Sequence, residues 1–273
     1  MGNFEILCVT MHQNDFSKIE QMNIHSDVVF ANQADTTRFD ELEFDGHSAR
    51  MITTDTRGVG INRNLALTYA KGEICLFADD DVTYNDDMEQ RVLAEFDSHP
   101  DADIIIFHLD TDSERKQIKY SRTKKCGRFF RAPWGAVRVA FRLSSIKKAN
   151  IWFTTLFGGG CVFPSGEDSI WLADIRKKGL NFYVSKETIG KIYFEGSTWF
   201  TGYDEKLFYS KGAYCAQMYP KFAKVWALYY LFRYRTHKPL SLKQKYQWMK
   251  NGIDGYRRTM SFDEYSKFIV NIR

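Results

Sequence analysis

What this chain lacks narrows it first. Its five cysteines, Cys8, Cys75, Cys126, Cys161 and Cys215, show no CxxC spacing. That excludes the common zinc and dithiol patterns and points to reduced thiols in a cytoplasmic protein. The six histidines form no zinc-like group. The apolar run that starts at Phe222 has 11 residues, well short of the roughly 20 that span a bilayer. Met1 to Glu5 has neither a basic region nor an apolar core, so no secretory leader is expected. Ile6 stands where a myristoylation signal needs Ser or Thr. There are no internal repeats or low-complexity tracts. What is there is 273 residues, 44% hydrophobic and 16% aromatic, enough for a full core. The expected division is a main domain over 1–210 and a helical, basic and aromatic extension over 211–273.

Charge is also unevenly distributed beneath a net +4. From Asp79 to Glu114 the acids crowd and Arg91 is the only Lys or Arg, whereas Lys119 to Lys148 contains no acid at all. The second stretch holds Lys119, Arg122, Lys124, Lys125, Arg128, Arg131, Arg138, Arg142, Lys147 and Lys148, with Phe129, Phe130, Trp134 and Phe141 between them. A basic and aromatic stretch suits an anionic acceptor such as a lipid diphosphate, with nucleic acid the disfavoured partner. The bland alternative is a set of strands with a basic outer face.

The most informative junction is Asp79-Asp80-Asp81 directly after Ile74-Cys75-Leu76-Phe77-Ala78. The apolar run reads as a buried strand that delivers carboxylates to a sheet edge, where open α/β sheets bind ligands. Adjacent carboxylates repel, and hard cations such as Mg²⁺ or Mn²⁺ relieve that repulsion with oxygen ligands. Upstream, Arg57-Gly58-Val59-Gly60-Ile61-Asn62-Arg63-Asn64 reads as a glycine-rich turn that opens a helix stopped by Gly72. Its free N–H groups and Arg63 suit an anion.

The string from Arg57 to Tyr84, RGVGINRNLALTYAKGEICLFADDDVTY, resembles the nucleotide-sugar half of glycosyltransferase family 2, inverting enzymes of the GT-A fold, here of bacterial polysaccharide type. Phe157-Gly158-Gly159-Gly160 and Ser165-Gly166-Glu167-Asp168 resemble that family's acceptor-side motif. The resemblance implies an α/β, Rossmann-like domain with a central mixed sheet. It implies Asp79 and Asp81 as metal ligands for Mn²⁺ or Mg²⁺, and Thr10, Asn32, Arg63, Asp79 and Asp80 as the nucleotide-sugar site, a UDP-sugar being favoured. Gly159 and Gly160 would face a saccharide acceptor, Asp168 would be the base, and Glu167 would stand beside it. A carboxylate at that place can take the acceptor hydroxyl's proton, although Glu167-Asp168 also reads as an ordinary acidic helix start.

The match is loose elsewhere. Met11-His12-Gln13-Asn14 follows the first strand, and Asn32-Gln33-Ala34-Asp35 is read as the turn after a second strand, Asp27 to Ala31. Asn32 is there the candidate for a base edge. Glu195 stands near where many members place a histidine. Asp79-x-Asp81-x-Thr83 also fits a haloacid-dehalogenase-like phosphatase, with Asp79 as nucleophile. A saccharide-binding scaffold is the third class. For the C-terminal segment, Trp226 and Leu231 beside Lys224, Arg233 and Arg235 suggest peripheral contact with the inner membrane face. A subunit interface is the alternative. The overall expectation is sugar transfer to a lipid-linked glycan in surface polysaccharide synthesis.

Overall fold

A computed structural model of the chain describes residues 3–111, 119–127, 135–193 and 202–271. The first half runs β1 (Phe4–Met11), α1 (Lys18–Gln21), β2 (Asp27–Gln33), β3 (Arg38–Phe44), β4 (His47–Thr54) and α2 (Val59–Tyr69). It continues with β5 (Ile74–Asp79), β6 (Val82–Tyr84), α3 (Met88–Ser98), β7 (Ile104–Thr111), β8 (Lys124–Lys125), a 3₁₀ turn (Ala136–Arg138), β9 (Val139–Arg142) and α4 (Leu143–Ala149). Then come α5 (Glu167–Lys177), β10 (Phe182–Ile192), α6 (Glu205–Met218), α7 (Ala223–Arg233), α8 (Leu242–Arg258) and α9 (Phe262–Asn271).

The chain forms two compact units, 1–154 with 168–196, and 155–167 with 197–273. In the first, the strands form one mixed sheet in the order β3-β4-β2-β1-β5-β9-β7-β10-β6, with β8 on β10. β4, β2, β1 and β5 are mutually parallel, while β9 runs antiparallel between β5 and β7. β1 and β5 are buried along almost their whole length, as strands covered on both faces must be. On one face Ile6, Cys8, Phe30 and Leu76 pack with Val92 and Phe96 of α3. On the other, Leu7, Val9 and Phe77 pack with Ala66 and Leu67 of α2 and with Trp171 of α5. Phe77 lies 4.8 Å from the Phe141 ring, 5.3 Å from Phe153 and 5.4 Å from Trp171, centroid to centroid.

The structure departs from several expectations. The second strand runs through Asn32 to Gln33 rather than stopping at Ala31. Helix α2 ends at Tyr69, before Gly72. Gly72 is needed for a different reason: a Cβ there would lie 2.7 Å from the Cβ of Glu5. The described part of the basic stretch is no continuous outer face either. Lys125 pairs with Asp101 at 2.8 Å and Lys119 with Asp110 at 2.5 Å. Arg142 donates to the Ala102 and Phe96 carbonyls, and Lys147 to that of Ala70. Arg128, Phe129, Phe130, Arg131 and Trp134 lie outside the described residues.

The expected break at 210/211 falls inside α6, which belongs wholly with the C-terminal helices. The cause is close backbone contact between α6 and α8. A Cβ on Gly212 would lie 2.0 Å from the Met249 carbonyl oxygen, and one on Gly252 would lie 1.9 Å from that of Tyr209. Ser241 and Gln244 cap α8 reciprocally. Lys245 is buried under the link from α7, donating to the Tyr234 carbonyl at 2.9 Å and to that of His237. Residues 155–167 join this unit through Phe157 and Phe163, whose rings pack on Tyr256 and, for Phe163, Tyr209. Among the described residues no helix is long and apolar enough to cross a membrane.

Candidate active site

Because β4, β2, β1 and β5 are parallel, their carboxyl ends bring Thr54, Gln33, Met11 and Asp79 to one edge of the sheet. Asp79 is the last residue of β5, and Asp80 and Asp81 make the tight turn into β6. Thr10 donates its hydroxyl to Asp80 at 2.5 Å, and Lys18 reaches the Asp80 carbonyl at 3.1 Å. Burial raises the Asp79 carboxyl, with Arg63 acting against it and Asp168 adding to it. Asp81 reaches the surface. Even so, its carboxyl is pushed up to about 6, by partial desolvation first and then by the charges of Asp79 and Asp80.

Helix α2 is held down on this edge. Asn62, buried, donates to the Ala31 carbonyl at 2.7 Å and to that of Thr10 at 3.3 Å, tying the helix to β2 and β1. Asn64 clasps the main chain of Phe153 with both ends of its amide, at 2.9 and 2.8 Å. Gly60 permits that approach, since a Cβ there would be 2.2 Å from the Thr154 carbonyl oxygen. Arg63 is thereby buried, its guanidinium 5.3 Å above the Phe153 ring. It bridges two carboxylates, with Nη2 3.0 Å from Asp79 Oδ1 and Nη1 2.5 Å from Asp168 Oδ1. Asp168 lies in the first turn of α5 and abuts Gly135, where a Cβ would come within 2.7 Å of Asp168 Oδ2. Asp79 and Asp168, 16 and 105 residues beyond Arg63 in the chain, are thus drawn to one cation.

Other expected site residues are placed differently. Asn32 is fully buried within β2. Its amide accepts from the Gln13 N–H at 3.0 Å, donates to the Gln13 carbonyl at 2.8 Å and meets the Thr53 hydroxyl at 3.0 Å. It shapes the loop after β1 from below and offers no free edge to a base, a correction that follows from the longer strand. Arg63 is likewise committed to carboxylates instead of standing ready for a phosphate. Glu167 is buried, and its carboxylate accepts from the Gly166 N–H at 3.0 Å; it belongs to the second unit, whereas Asp168 belongs to the first. Gly159 and Gly160 lie in a turn of the second unit closed by the Phe157–Phe163 bridge, with Gly158 and Gly160 at positive φ. Glu195 lies outside the described residues.

Four residues that sequence reasoning did not assign, Lys18, Asn62, Asn64 and Gly135, also shape the site. Asn62 and Asn64 flank Arg63 in the quoted string, so a signal existed for them. Lys18 and Gly135 had none. Among the described residues, no three His, Cys, Asp or Glu side chains form a ready-made metal cluster. The oxygen-only donors of the aspartate turn nevertheless suit a hard cation. The Tyr84 hydroxyl, buried without a hydrogen-bond partner, is close enough to Asp79 and Asp81 for their charges to raise it, after burial itself.

A mixed α/β sheet with an aspartate turn at its carboxyl edge and a helical C-terminal region is a GT-A-type fold. Residues 25–157 match the model of Glycosyl transferase family 2. Its fold is similar to crystal structures of S. aureus TarS 1–349. The complex with UDP has a TM-score of 0.61 at 12% identity, and the complex with UDP-GlcNAc 0.57 at 13%. Each comparison covers 95% of this chain and 93% of that one. No curated protein matches the chain in sequence.

Proposed function

We propose that this protein transfers a sugar, with inversion, from a nucleotide diphosphate sugar to a saccharide hydroxyl. The observation that carries the reading is the Asp79–Arg63–Asp168 bridge at the carboxyl edge of the parallel strands, beside the Asp79-Asp80-Asp81 turn. A UDP-sugar is the favoured donor, on the UDP and UDP-GlcNAc complexes of the TarS structures. Asp79 and Asp81 would hold Mg²⁺ or Mn²⁺, which neutralises the carboxylates and stabilises the departing diphosphate. Asp80, steadied by Thr10, fixes the turn that presents them. Asp168 takes the acceptor proton as the acceptor oxygen bonds to the anomeric carbon and the bond to the diphosphate oxygen breaks. Arg63 holds that carboxylate in place, its Nη1 2.5 Å from Asp168 Oδ1. The acceptor is read as a lipid-linked glycan of surface polysaccharide synthesis, made in the cytoplasm.

The phosphatase reading gains nothing: Asp79, its nucleophile, is engaged by Arg63 and sits on the fifth strand in chain order. The test is calorimetric titration of UDP with Mn²⁺ and with EDTA, for wild type and Asp81→Ala. Binding that needs Mn²⁺ and loses that dependence in Asp81→Ala supports the assignment. Equal binding in EDTA by both proteins removes it.

A further inference from the structure

Among the described residues, helix α7 packs on α6 and α8 through one side. Ala223 and Ala227 are buried there, and Trp226 stacks on Tyr219 at 4.1 Å. The other side is apolar and exposed. Phe222, Val225, Leu228, Tyr229 and Phe232 are 64%, 62%, 42%, 40% and 68% accessible. At 100° per residue these five fall within an arc of about 120°, a single stripe rather than scattered exposure. Lys224 flanks one edge of that arc and Arg233 the other, both exposed, while Lys221 precedes the helix.

Charge identifies the occupant. Between Glu205 and Asp254 the chain has ten Lys and Arg and no Asp or Glu. Of these, Lys221, Lys224, Arg233, Arg235 and Lys238 are exposed around α7. A second copy docked by a two-fold axis would set these basic rims against each other, and the stretch between Glu205 and Asp254 holds no acid to answer them. An anionic bilayer answers both features, taking the apolar stripe at the acyl boundary and the cations at its headgroups. The helix, about 16 Å long at 1.5 Å per residue, lies in the interface and does not cross it.

We infer that the exposed face of α7 docks this protein on the surface of an anionic lipid bilayer. The inference is independent of the proposed sugar transfer. Trp226 and Leu231, the residues the sequence pattern favours, are not the ones that make contact; Val225 and Phe232 are.

Co-sedimentation with vesicles of phosphatidylcholine alone and of phosphatidylcholine with phosphatidylglycerol tests it, at low and high salt, alongside solution mass. Wild type should bind only the anionic vesicles at low salt and release as salt rises, because exposed charges are screened. Val225→Glu with Phe232→Glu alters exposed positions only, so its melting temperature should match wild type. It should lose roughly tenfold or more in vesicle affinity, and Lys221→Gln with Lys224→Gln a comparable amount at low salt. Equal wild-type binding to neutral and anionic vesicles, or none to either, overturns the inference. So does unchanged vesicle binding in both double variants, or a fall from oligomer to monomer in the glutamate variant, which would assign the face to a second copy.

Discussion

The two ends of the parallel strands use the same chemistry for different ends. At the amino end Glu5 and Arg50 are both buried, the guanidinium paired with the carboxylate and donating to the Tyr69 carbonyl at 2.8 Å. Glu5 also accepts from the N–H groups of Lys71 and Gly72, at 2.6 and 3.0 Å. At the carboxyl end Arg63 is just as buried, but its partners Asp79 and Asp168 keep 26% and 24% of their side chains accessible. A closed pair has no face left for a ligand, so it can only hold the loop before β5 to β1. An open pair leaves carboxylate oxygens facing solvent, where a substrate can reach them. Accessibility of the acid, not the presence of the arginine, separates the closed pair from the one proposed for chemistry.

Substitutions at each end should therefore fail in different ways. The largest effect is expected for Asp168→Asn, which would remove the proposed base while keeping its shape. Transfer should fall by about 10²–10⁴-fold with UDP affinity and melting temperature close to wild type. Near-normal turnover would make Asp168 only an acidic helix start and erase the contrast. Glu5→Ala should do the reverse. Stranding Arg50 in the core should cost about 3–5 kcal/mol of stability in chemical denaturation, and the protein that remains folded should turn over normally. Reduced kcat at full stability would sink the structural assignment of that end.

Smaller effects probe what supports the open end. Asn32→Ala leaves the Gln13 main chain without its clasp, so stability should fall by about 1–3 kcal/mol and UDP binding should weaken as the loop after β1 loosens. If UDP affinity is unchanged, Asn32 belongs with the structural end. The mildest change, Gly135→Ala, pushes a methyl toward Asp168 Oδ2. It should lower kcat for transfer more than it raises KM for the donor, because only Asp168 is displaced. An equal effect on both would mean that the contact does not bear on the acceptor side.

Much of the open end was legible because local physics fixed it. An apolar run followed by aspartates puts carboxylates at a strand end whatever surrounds them, and Asp79 ends β5 accordingly. Charge segregation, the glycine-rich helix start and the position of Asp168 at a helix start were readable for the same reason. The misreadings concern partners distant in sequence. Asn32 looks like a turn residue until β4 pairs with β2 and extends it. Gly72 looks like a helix stop until Glu5 packs on it. The basic stretch looks like one face until acids from β7 and from the chain around Asp101 claim its lysines.

The sequence by itself determined the buried strand that ends in the aspartates, the helix that opens after Gly58, where the acidic turn falls and how the C-terminal region is charged, since these follow from side-chain type and spacing along the chain. Only the tertiary structure decided that Arg63 joins Asp79 to Asp168, that residues 155–167 belong with the C-terminal helices, and which side of α7 stays exposed. Each of these depends on which surfaces meet. That is set by close packing between segments far apart in the chain, which no local pattern encodes.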